Sequence, residues 1–380
     1  MTIRNGYHQE RILLAEKRKI WKTGKGTFVV SLPLEWAQMV NEKYKGEVYV
    51  SQFKEKVYVF PAAELTGLTG DLTVTCDDET KLESQIIAAY LANYGGLYIR
   101  FQENLGNVSR LEEKLREVSN KLYGTNLARI SAREFFLSMS VAENPIDRVL
   151  DRIHFLCEEI YKESVDKMVS IPLSGKELSE KLVHIRNIEM DTDRTSFYSK
   201  RLLTYSLLNP ESSKRIGIED VRDVIEYYVI ISNFERLSDL ELELFEILVK
   251  LNDQVASTKT TLKLSLSSPG YGLKEYYEDA HKLLDKAYLG IKDEQSALEV
   301  LRSKNAVDKE TNIEYRPGFI SLENKKKLLD FIKSKPFSEW LILMEQRIWG
   351  MTGIGTNIAE AGRNIKYKPP PTREQPPFMI

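Results

Sequence analysis

The chain has 380 residues, 42% of them hydrophobic, and a formal net charge of −2 at pH 7. This length predicts two or three domains with ordinary packed cores. No stretch approaches the roughly 20 apolar residues of a membrane span, and the polar N-terminus lacks the apolar region of a signal peptide, so we expect no membrane insertion. Two cysteines, Cys76 and Cys157, are a poor basis for a disulfide framework, which predicts a reduced, cytoplasmic protein.

Charge is unevenly distributed along the chain. Residues 1–61 contain eleven Lys or Arg and six Glu, a net charge of +5, so the remaining residues together carry −7. A basic segment attached to an acidic body predicts a polyanionic partner at one end of the protein only.

Residues 18–61 have the pattern of two β-hairpins around a short helix. Apolar residues such as Ile20 and Phe28 favour strands, TGKGT at residues 23–27 predicts the first turn, and Pro33 ends the second strand. VYVSQF and VYVFP predict the second hairpin. Because so short a segment buries too little surface to be stable alone, we expect it to pair with a second copy.

The first turn does not have the pattern of a phosphate-binding P-loop, because Lys19 and Gly26 occupy positions where that motif requires Gly and Ser or Thr. Instead, RKIWKTGKGTFVVSLPLEWAQ at residues 18–38, followed by GEVYV and VYVFP, resembles the SpoVT/AbrB DNA-binding family. The resemblance implies that residues 1–65 form a swapped-hairpin β domain that dimerises and binds DNA. By position, the implied DNA contacts are Arg18, Lys19, Lys22 and Lys25.

Strands and helices alternate in the next segment, which predicts a small α/β domain over residues 70–142. The predicted elements are a strand at residues 72–76, a helix at 79–93, a strand at 97–101, a helix at 108–122, and strands near 128–130 and 135–141.

The chain becomes helical from Asn144, which with Pro145 is suited to a helix N-terminus. SSPGYG separates two groups of long helices, which predicts a duplicated three-helix bundle over residues 143–366, with repeats at about 143–255 and 270–366. The tail at residues 367–380 is proline-rich and predicted to be extended. After the first helix, the predicted helices run from Ser174 to Leu208 and over about 218–252, 273–303, 325–333 and 337–366.

Two neighbouring predicted helices carry acidic residues in line with their apolar stripes. Steps of four residues lead to Glu189 and Asp193 in one helix, and to Glu235 and Asp239 in the next. Four carboxylates on one inward seam would repel each other and be poorly solvated. A metal ion that prefers hard oxygen ligands would relieve both costs.

Two observations bear on this interpretation. Arg194 and Arg236 are adjacent to the acidic residues, so salt bridges are an alternative to a metal ion. The histidines are scattered along the chain and predict no histidine-based metal site. They are His8, His154, His184 and His281.

IEMDTDRTSFYSKRLL at residues 188–203 and NFERLSDLELELFEIL at 233–248 resemble the two signature helices of the PhoU phosphate-uptake regulator family. TNIAE at residues 356–360 matches the family's C-terminal motif. The resemblance implies that the first repeat binds divalent or iron ions through Glu189, Asp193, Glu235 and Asp239. The order of a SpoVT/AbrB module, an α/β domain and PhoU repeats resembles archaeal phosphate-uptake regulators.

The second repeat departs from the family pattern. Trp349 and Gly353 stand where the motif has its two acids, and Asp308 has Lys304 in place of its acidic partner. We therefore expect any metal site in the first repeat only. Close helix approach is expected at Gly350, Gly353 and Gly355.

The expected protein is a homodimeric, multidomain α+β regulator of phosphate uptake that binds DNA and receives its signal through the helical body. An adaptor that docks on a phosphate transporter ATPase without binding DNA is the alternative. It is favoured by Trp36, Ala37 and Gln38, where some SpoVT/AbrB members have arginines. A metal-dependent phosphohydrolase ranks last, and we expect no enzyme, because the acidic faces offer no nucleophile, histidine acid or cationic phosphate clamp.

Overall fold

The computed structural model forms two compact units, Met1–Thr66 and Gly67–Ile380. The mixed α+β class expected from the sequence is confirmed, with small sheets towards the N-terminus and a helical C-terminal region. The proline-rich tail predicted at residues 367–380 lies outside the described residues apart from its first residue. The structure describes residues 17–53, 56–61, 69–76, 80–102, 108–258, 263–303 and 305–367.

The first unit consists of two antiparallel hairpins around one helix. Gly24 has a φ of +61°, which a residue with a Cβ adopts only at a cost, and this lets the first hairpin turn tightly. Among the described residues of this unit, only Val40 and Pro61 are buried. The elements are β1 (Ile20–Thr23), β2 (Thr27–Val30), α1 (Leu34–Tyr44), β3 (Val48–Phe53) and β4 (Lys56–Pro61).

The second unit begins with a four-stranded sheet in the order β5-β6-β8-β7. β5 and β6 are parallel because α2 carries the chain back between them, and the other pairs are antiparallel. Apolar residues of the sheet and of α2 and α3 form a core of their own. The elements are β5 (Thr69–Cys76), α2 (Leu82–Leu91), β6 (Tyr94–Phe101), α3 (Val108–Asn120), β7 (Thr125–Arg129) and β8 (Glu134–Met139).

The rest of the second unit is mainly helical. The Ser174 hydroxyl accepts a hydrogen bond from the backbone N–H of Glu177, as the predicted capping pattern requires. The helices are α4 (Ile146–Val165), α5 (Gly175–Leu208), α6 (Pro210–Arg215), α7 (Asp223–Ser257), α8 (Leu273–Lys292), α9 (Glu294–Arg302), α10 (Leu322–Lys333) and α11 (Ser338–Lys366), with short strands β9 (Ser170–Ile171), β10 (Leu264–Ser265), β11 (Ala306–Val307) and β12 (Glu314–Tyr315). No helix in the described part of the chain is long and apolar enough to cross a membrane.

The helices share one continuous hydrophobic core. α4, α5 and α7 pack on one another, and α11 packs along both α7 and α8. Gly350 permits this approach, because a Cβ there would lie only 3.3 Å from Leu240. At Gly355 a Cβ would make an ordinary contact of 3.5 Å with Leu283, and at Gly353 it would meet no atom within 4 Å, so close packing explains only one of the three glycines.

Several helix boundaries differ from the sequence prediction: α7, for example, runs over Asp223–Ser257 and not over about 218–252. Two further differences have a visible cause. The helix predicted over residues 273–303 breaks at Asp293, which has an extended backbone and whose carboxylate caps α9 by accepting from the N–H of Ser296. Asn144 was expected at the N-cap of α4, but Pro145 holds that position. The amide of Asn144 instead donates to the hydroxyl of Tyr198 at 2.7 Å.

Candidate nucleic-acid interface and candidate metal centre

The first hairpin presents the four basic residues predicted to contact DNA. Lys22 pairs with Phe28 across the ladder, and Lys25 lies in the turn between two glycines. Arg18, Lys19, Lys22 and Lys25 are all exposed. Neither Lys22 nor Lys25 forms an ion pair with the residues that the structure describes, so both charges can meet an external anion.

The same hairpin and the start of α1 also expose apolar side chains. Neighbouring exposed apolar side chains are normally covered by another part of the protein or by a partner, because each Å² of apolar surface left in water costs about 25 cal/mol of free energy. The most exposed are Leu34 at 70%, Ile20 at 68% and Phe28 at 67%, followed by Trp21, Val30 and Leu32.

A cluster of three carboxylates lies where α5 and α7 pack together. Glu189 and Asp193 are one helical turn apart on α5, and Asp239 faces them from α7. Their ligand oxygens lie within 4.8 Å of one another, and all three side chains are half-buried. We call these three residues the acidic cluster.

The charges of the acidic cluster are poorly compensated. Burial, and then the neighbouring carboxylates Asp193 and Asp239, raise the pKa of Glu189 to about 7. Burial, Glu235 and Asp239 raise the pKa of Asp193 to about 6. Hard oxygen ligands this close together suit a divalent cation such as Mg²⁺ or Mn²⁺, and iron is compatible with the same donors.

The fourth predicted ligand, Glu235, lies beside the acidic cluster rather than within it. Its carboxylate is 3.7 Å from the ammonium of Lys200, yet it is close enough to act electrostatically on Glu189 and Asp193.

The arginines considered as alternative partners account for little of the negative charge. Arg194 pairs with Asp191 at 3.2 Å, which is not one of the four predicted ligands. Arg236 lies 3.3 Å from Asp239 and 3.6 Å from Glu243, and it is more than half exposed. Glu189 and Asp193 have no ion-pair partner among the described residues.

The acidic residues lie at the edge of the buried stripe and not on it. A step of four residues turns about 40° past a full helical turn, so two steps move well off a stripe. On α7, Tyr228 lies four residues after Val224 and on the same line as the acids, and it is 45% exposed. The most deeply buried acid of α7 is Glu241, which is 1% exposed and which the sequence pattern did not indicate.

α5 connects the acidic cluster to the α/β part of the same unit. Two turns beyond Asp193, the guanidinium of Arg201 is fully buried and donates to the carbonyl oxygens of Tyr90, Tyr94 and Met139. A cleft of about 440 Å³ lies between, and its lining includes Tyr123, Ser140, Arg148, Thr195 and Tyr198. A displacement of α5 would therefore act directly on the sheet through the hydrogen bonds of Arg201.

The histidines are not all isolated, contrary to the expectation from the sequence. The imidazole Nε2 atoms of His154 and His281 lie 3.8 Å and 2.8 Å from the same oxygen of Glu158. The sequence carries a weak signal for this, since each histidine is followed four residues later by an acid, Glu158 or Asp285.

The second repeat has a packing role at the positions where the family motif would have acids. The indole of Trp349 lies against Lys325, with the ammonium 4.8 Å from a ring centroid, and against the guanidinium of Arg316 at 5.5 Å. Lys325 also pairs with Glu345. Asp308 is half-buried and accepts from the backbone N–H of Thr311 in a turn.

Comparisons with protein-family models, with curated proteins and with solved structures give no match. The functional assignment must therefore come from the residues of this chain.

Proposed function

We propose that the protein is a dimeric DNA-binding regulator of phosphate uptake whose helical body responds to a divalent or iron ion. The resemblance of residues 18–38 to SpoVT/AbrB proteins, and of residues 188–203 and 233–248 to PhoU, supplies the function. The phosphate connection rests on that resemblance alone, while DNA binding and metal response are also supported by charge, exposure and geometry.

The observation that carries the proposal is the combination of free lysines and uncovered apolar side chains on one small unit. Ile20 and Phe28 are two-thirds exposed, and few of the described residues of this unit are buried, so a second copy of the unit would cover them. Pairing would place two sets of Arg18, Lys19, Lys22 and Lys25 on one assembly. Each phosphate neutralised by such a residue releases counterions, which favours binding.

The acidic cluster is the proposed input. A cation bound by Glu189, Asp193 and Asp239 would draw α5 and α7 together and relieve their carboxylate repulsion. Because Arg201 joins α5 to the sheet, a changed position of α5 would be passed on to the α/β part. The cation acts as a signal only if it binds one arrangement of these helices more tightly than another.

The DNA interface is tested with a mixed-sequence duplex and the full-length chain carrying Lys22→Glu and Lys25→Glu. In a dimer the double variant removes four phosphate contacts, so the slope of log K against log salt falls by about 3 to 4. Lys43→Glu with Lys333→Glu is the matched control, because it changes the net charge equally at exposed sites away from the hairpin. Sedimentation should show the same dimer for all forms.

Equal salt slopes for the two double variants would refute the assigned surface. A wild-type dimer that binds no duplex even at low salt would instead support the adaptor function.

The role of the acidic cluster is tested by repeating the DNA titration with and without Mn²⁺. Asp193→Asn should abolish any effect of Mn²⁺ on DNA affinity. Asp191→Asn should preserve that effect, because Asp191 lies two residues away on α5 and pairs with Arg194.

A further inference from the structure

A second polar cluster lies where α4 and α8 meet, away from the acidic cluster. His154 and Glu158 are four residues apart on α4, and His281 and Asp285 are four residues apart on α8, so each pair projects from one helix face. We call these four residues the histidine cluster. The ligand atoms of His154, Glu158 and Asp285 lie within 4.8 Å of one another.

Nitrogen and oxygen donors alternate within the histidine cluster. His154 Nε2 is 3.4 Å from Asp285 Oδ1, and His281 Nδ1 is 3.5 Å from Asp285 Oδ2. Glu158 Oε1 lies between the two imidazoles at 2.8 Å and 3.8 Å. Two helices thus bring one imidazole, that of His154, and the carboxylates of Glu158 and Asp285 around one point. His281 contacts both carboxylates through different ring nitrogens.

Aromatic rings hold both imidazoles in place. His154 stacks on Tyr288 with ring centroids 3.9 Å apart, and His281 stacks on Tyr161 at 3.5 Å. Packing that fixes the orientation of a ligand before binding reduces the entropy lost when the ligand engages a metal.

A third helix adds a buried carboxylate without a full set of partners. Glu241 on α7 is 1% exposed, and among the described residues no well-formed hydrogen bond reaches its Oε2 atom. Burial raises the pKa of Glu241 well above its usual value and the charge of Glu158 raises it further, while the nearby charge of His281 and a hydrogen bond with Tyr277 lower it.

Negative charge remains in the histidine cluster unless both imidazoles are protonated. Burial favours the neutral form of Glu241, so the charges to be balanced are those of Glu158 and Asp285. The nearest lysines of α4 and α8 are engaged elsewhere, since Lys162 pairs with Glu159, Lys282 with Asp279 and Lys286 with Glu299. An additional cation would balance the charge.

We propose that the histidine cluster binds a transition-metal ion, Zn²⁺ or Fe²⁺ by its donor chemistry, through His154, Glu158 and Asp285, with His281 holding the two carboxylates in position. Imidazole nitrogen selects these ions over Mg²⁺ and Ca²⁺, which prefer oxygen alone. The site joins α4 and α8 and so ties the first helical group to the second. It does not depend on the proposed function or on the acidic cluster.

The test uses Co²⁺ as a coloured probe on the full-length chain after removal of metals with a chelator. Co²⁺ is titrated in a large excess of Mg²⁺, which competes for the oxygen ligands of the acidic cluster but not for imidazole. The wild type should bind one Mg²⁺-resistant Co²⁺ with visible ligand-field bands. Zn²⁺ should then displace this Co²⁺, which is measured by the loss of those bands.

Three variants are compared in parallel, His154→Gln, His281→Gln and Glu158→Gln, with far-UV circular dichroism to select the folded ones. Each should weaken Co²⁺ binding by at least 10- to 100-fold, the loss typical even for residues that only support a ligand. His184→Gln on the exposed face of α5 and Asp193→Asn in the acidic cluster should bind Co²⁺ as the wild type does. Absence of Mg²⁺-resistant Co²⁺ in the wild type, or unchanged affinity in the folded variants, overturns the proposal.

Discussion

Helix α7 contributes Asp239 to the acidic cluster and places Glu241 beside the histidine cluster, and the two clusters surround these acids with opposite charges. Asp239 and Glu241 are two residues apart, so their side chains leave the helix about 200° apart, one towards the edge of the bundle and one into its core. In the acidic cluster carboxylates face carboxylates, and the pKa of Glu189 rises to about 7. In the histidine cluster they face imidazoles.

The difference shows that the sign of a cluster's contribution to stability depends on counter-charges more than on burial. Burial alone would raise the pKa of Asp285, but hydrogen bonds with His154 and His281 lower it overall. Burial alone would lower the pKa of His281, but hydrogen bonds with Asp285 and Glu158 raise it to about 9. Without metal, the histidine cluster should therefore stabilise the fold and the acidic cluster should destabilise it.

The largest expected effect comes from removing a counter-charge in the core. His281→Leu in metal-free protein leaves Glu158 and Glu241 without their closest positive charge and should lower the free energy of unfolding by about 3 kcal/mol. Urea denaturation at pH 7 measures this. His184→Leu, on an exposed helix face, is the control and should change stability by less than about 0.5 kcal/mol. Equal losses in the two variants would show that His281 has no stabilising role of this kind.

Local patterns predicted the helices well, and α5 from residue 175 to residue 208 is the clearest case, because a capping residue and continuous helical spacing act within the segment itself. They also placed Glu189, Asp193 and Asp239 in one site, since α5 and α7 are sequence neighbours that pack together. The face of each helix on which these acids lie was not predicted correctly, because every step of four residues turns about 40° past a full helical turn.

The histidine cluster could not be predicted in the same way. His154 and His281 are on helices separated by two other long helices, and only the packing of α4 on α8 brings them together. A histidine followed four residues later by an acid is common on solvated helix faces, so the pattern alone carries little information. Glu241 was missed for the related reason that a fully buried acid has no distinctive sequence signature.

A smaller effect should appear in the pH dependence of the free energy of unfolding, because the two clusters change protonation in different pH ranges. Because the pKa of Glu189 is higher in the folded state, the protein binds an extra proton there, and stability falls as pH rises from about 4.5 through 7. For this half-exposed group the loss should be about 1 kcal/mol after solvent screening. His281 contributes stability that is complete below about 6.5 and is lost as pH rises through 9.

Variants assign each part of the pH profile to its cluster. Metal-free Glu189→Gln should flatten the slope between pH 5 and 7, and His281→Gln should flatten it between pH 7 and 9, as measured by urea denaturation at each pH. Asp191→Asn serves as the control for the acid window, because Asp191 lies on the same helix but pairs with Arg194. If the profile of Glu189→Gln matches that of the wild type, carboxylate repulsion in the acidic cluster is not the cause of the slope.

The smallest expected effect concerns Arg236, the arginine that, among the described residues, pairs with a member of the acidic cluster. Arg236 lies 3.3 Å from Asp239 but is 54% exposed, so Arg236→Ala should lower stability by less than about 0.5 kcal/mol. Because removal of a positive charge beside the carboxylates strengthens their attraction for a cation, Mn²⁺ affinity should rise about twofold at low salt, and the gain should shrink as salt screens it. Arg186→Ala, which removes an equally exposed arginine paired with Glu246, is the matched control. A fall in Mn²⁺ affinity in Arg236→Ala alone would mean that Arg236 positions Asp239 for the metal rather than competing with it.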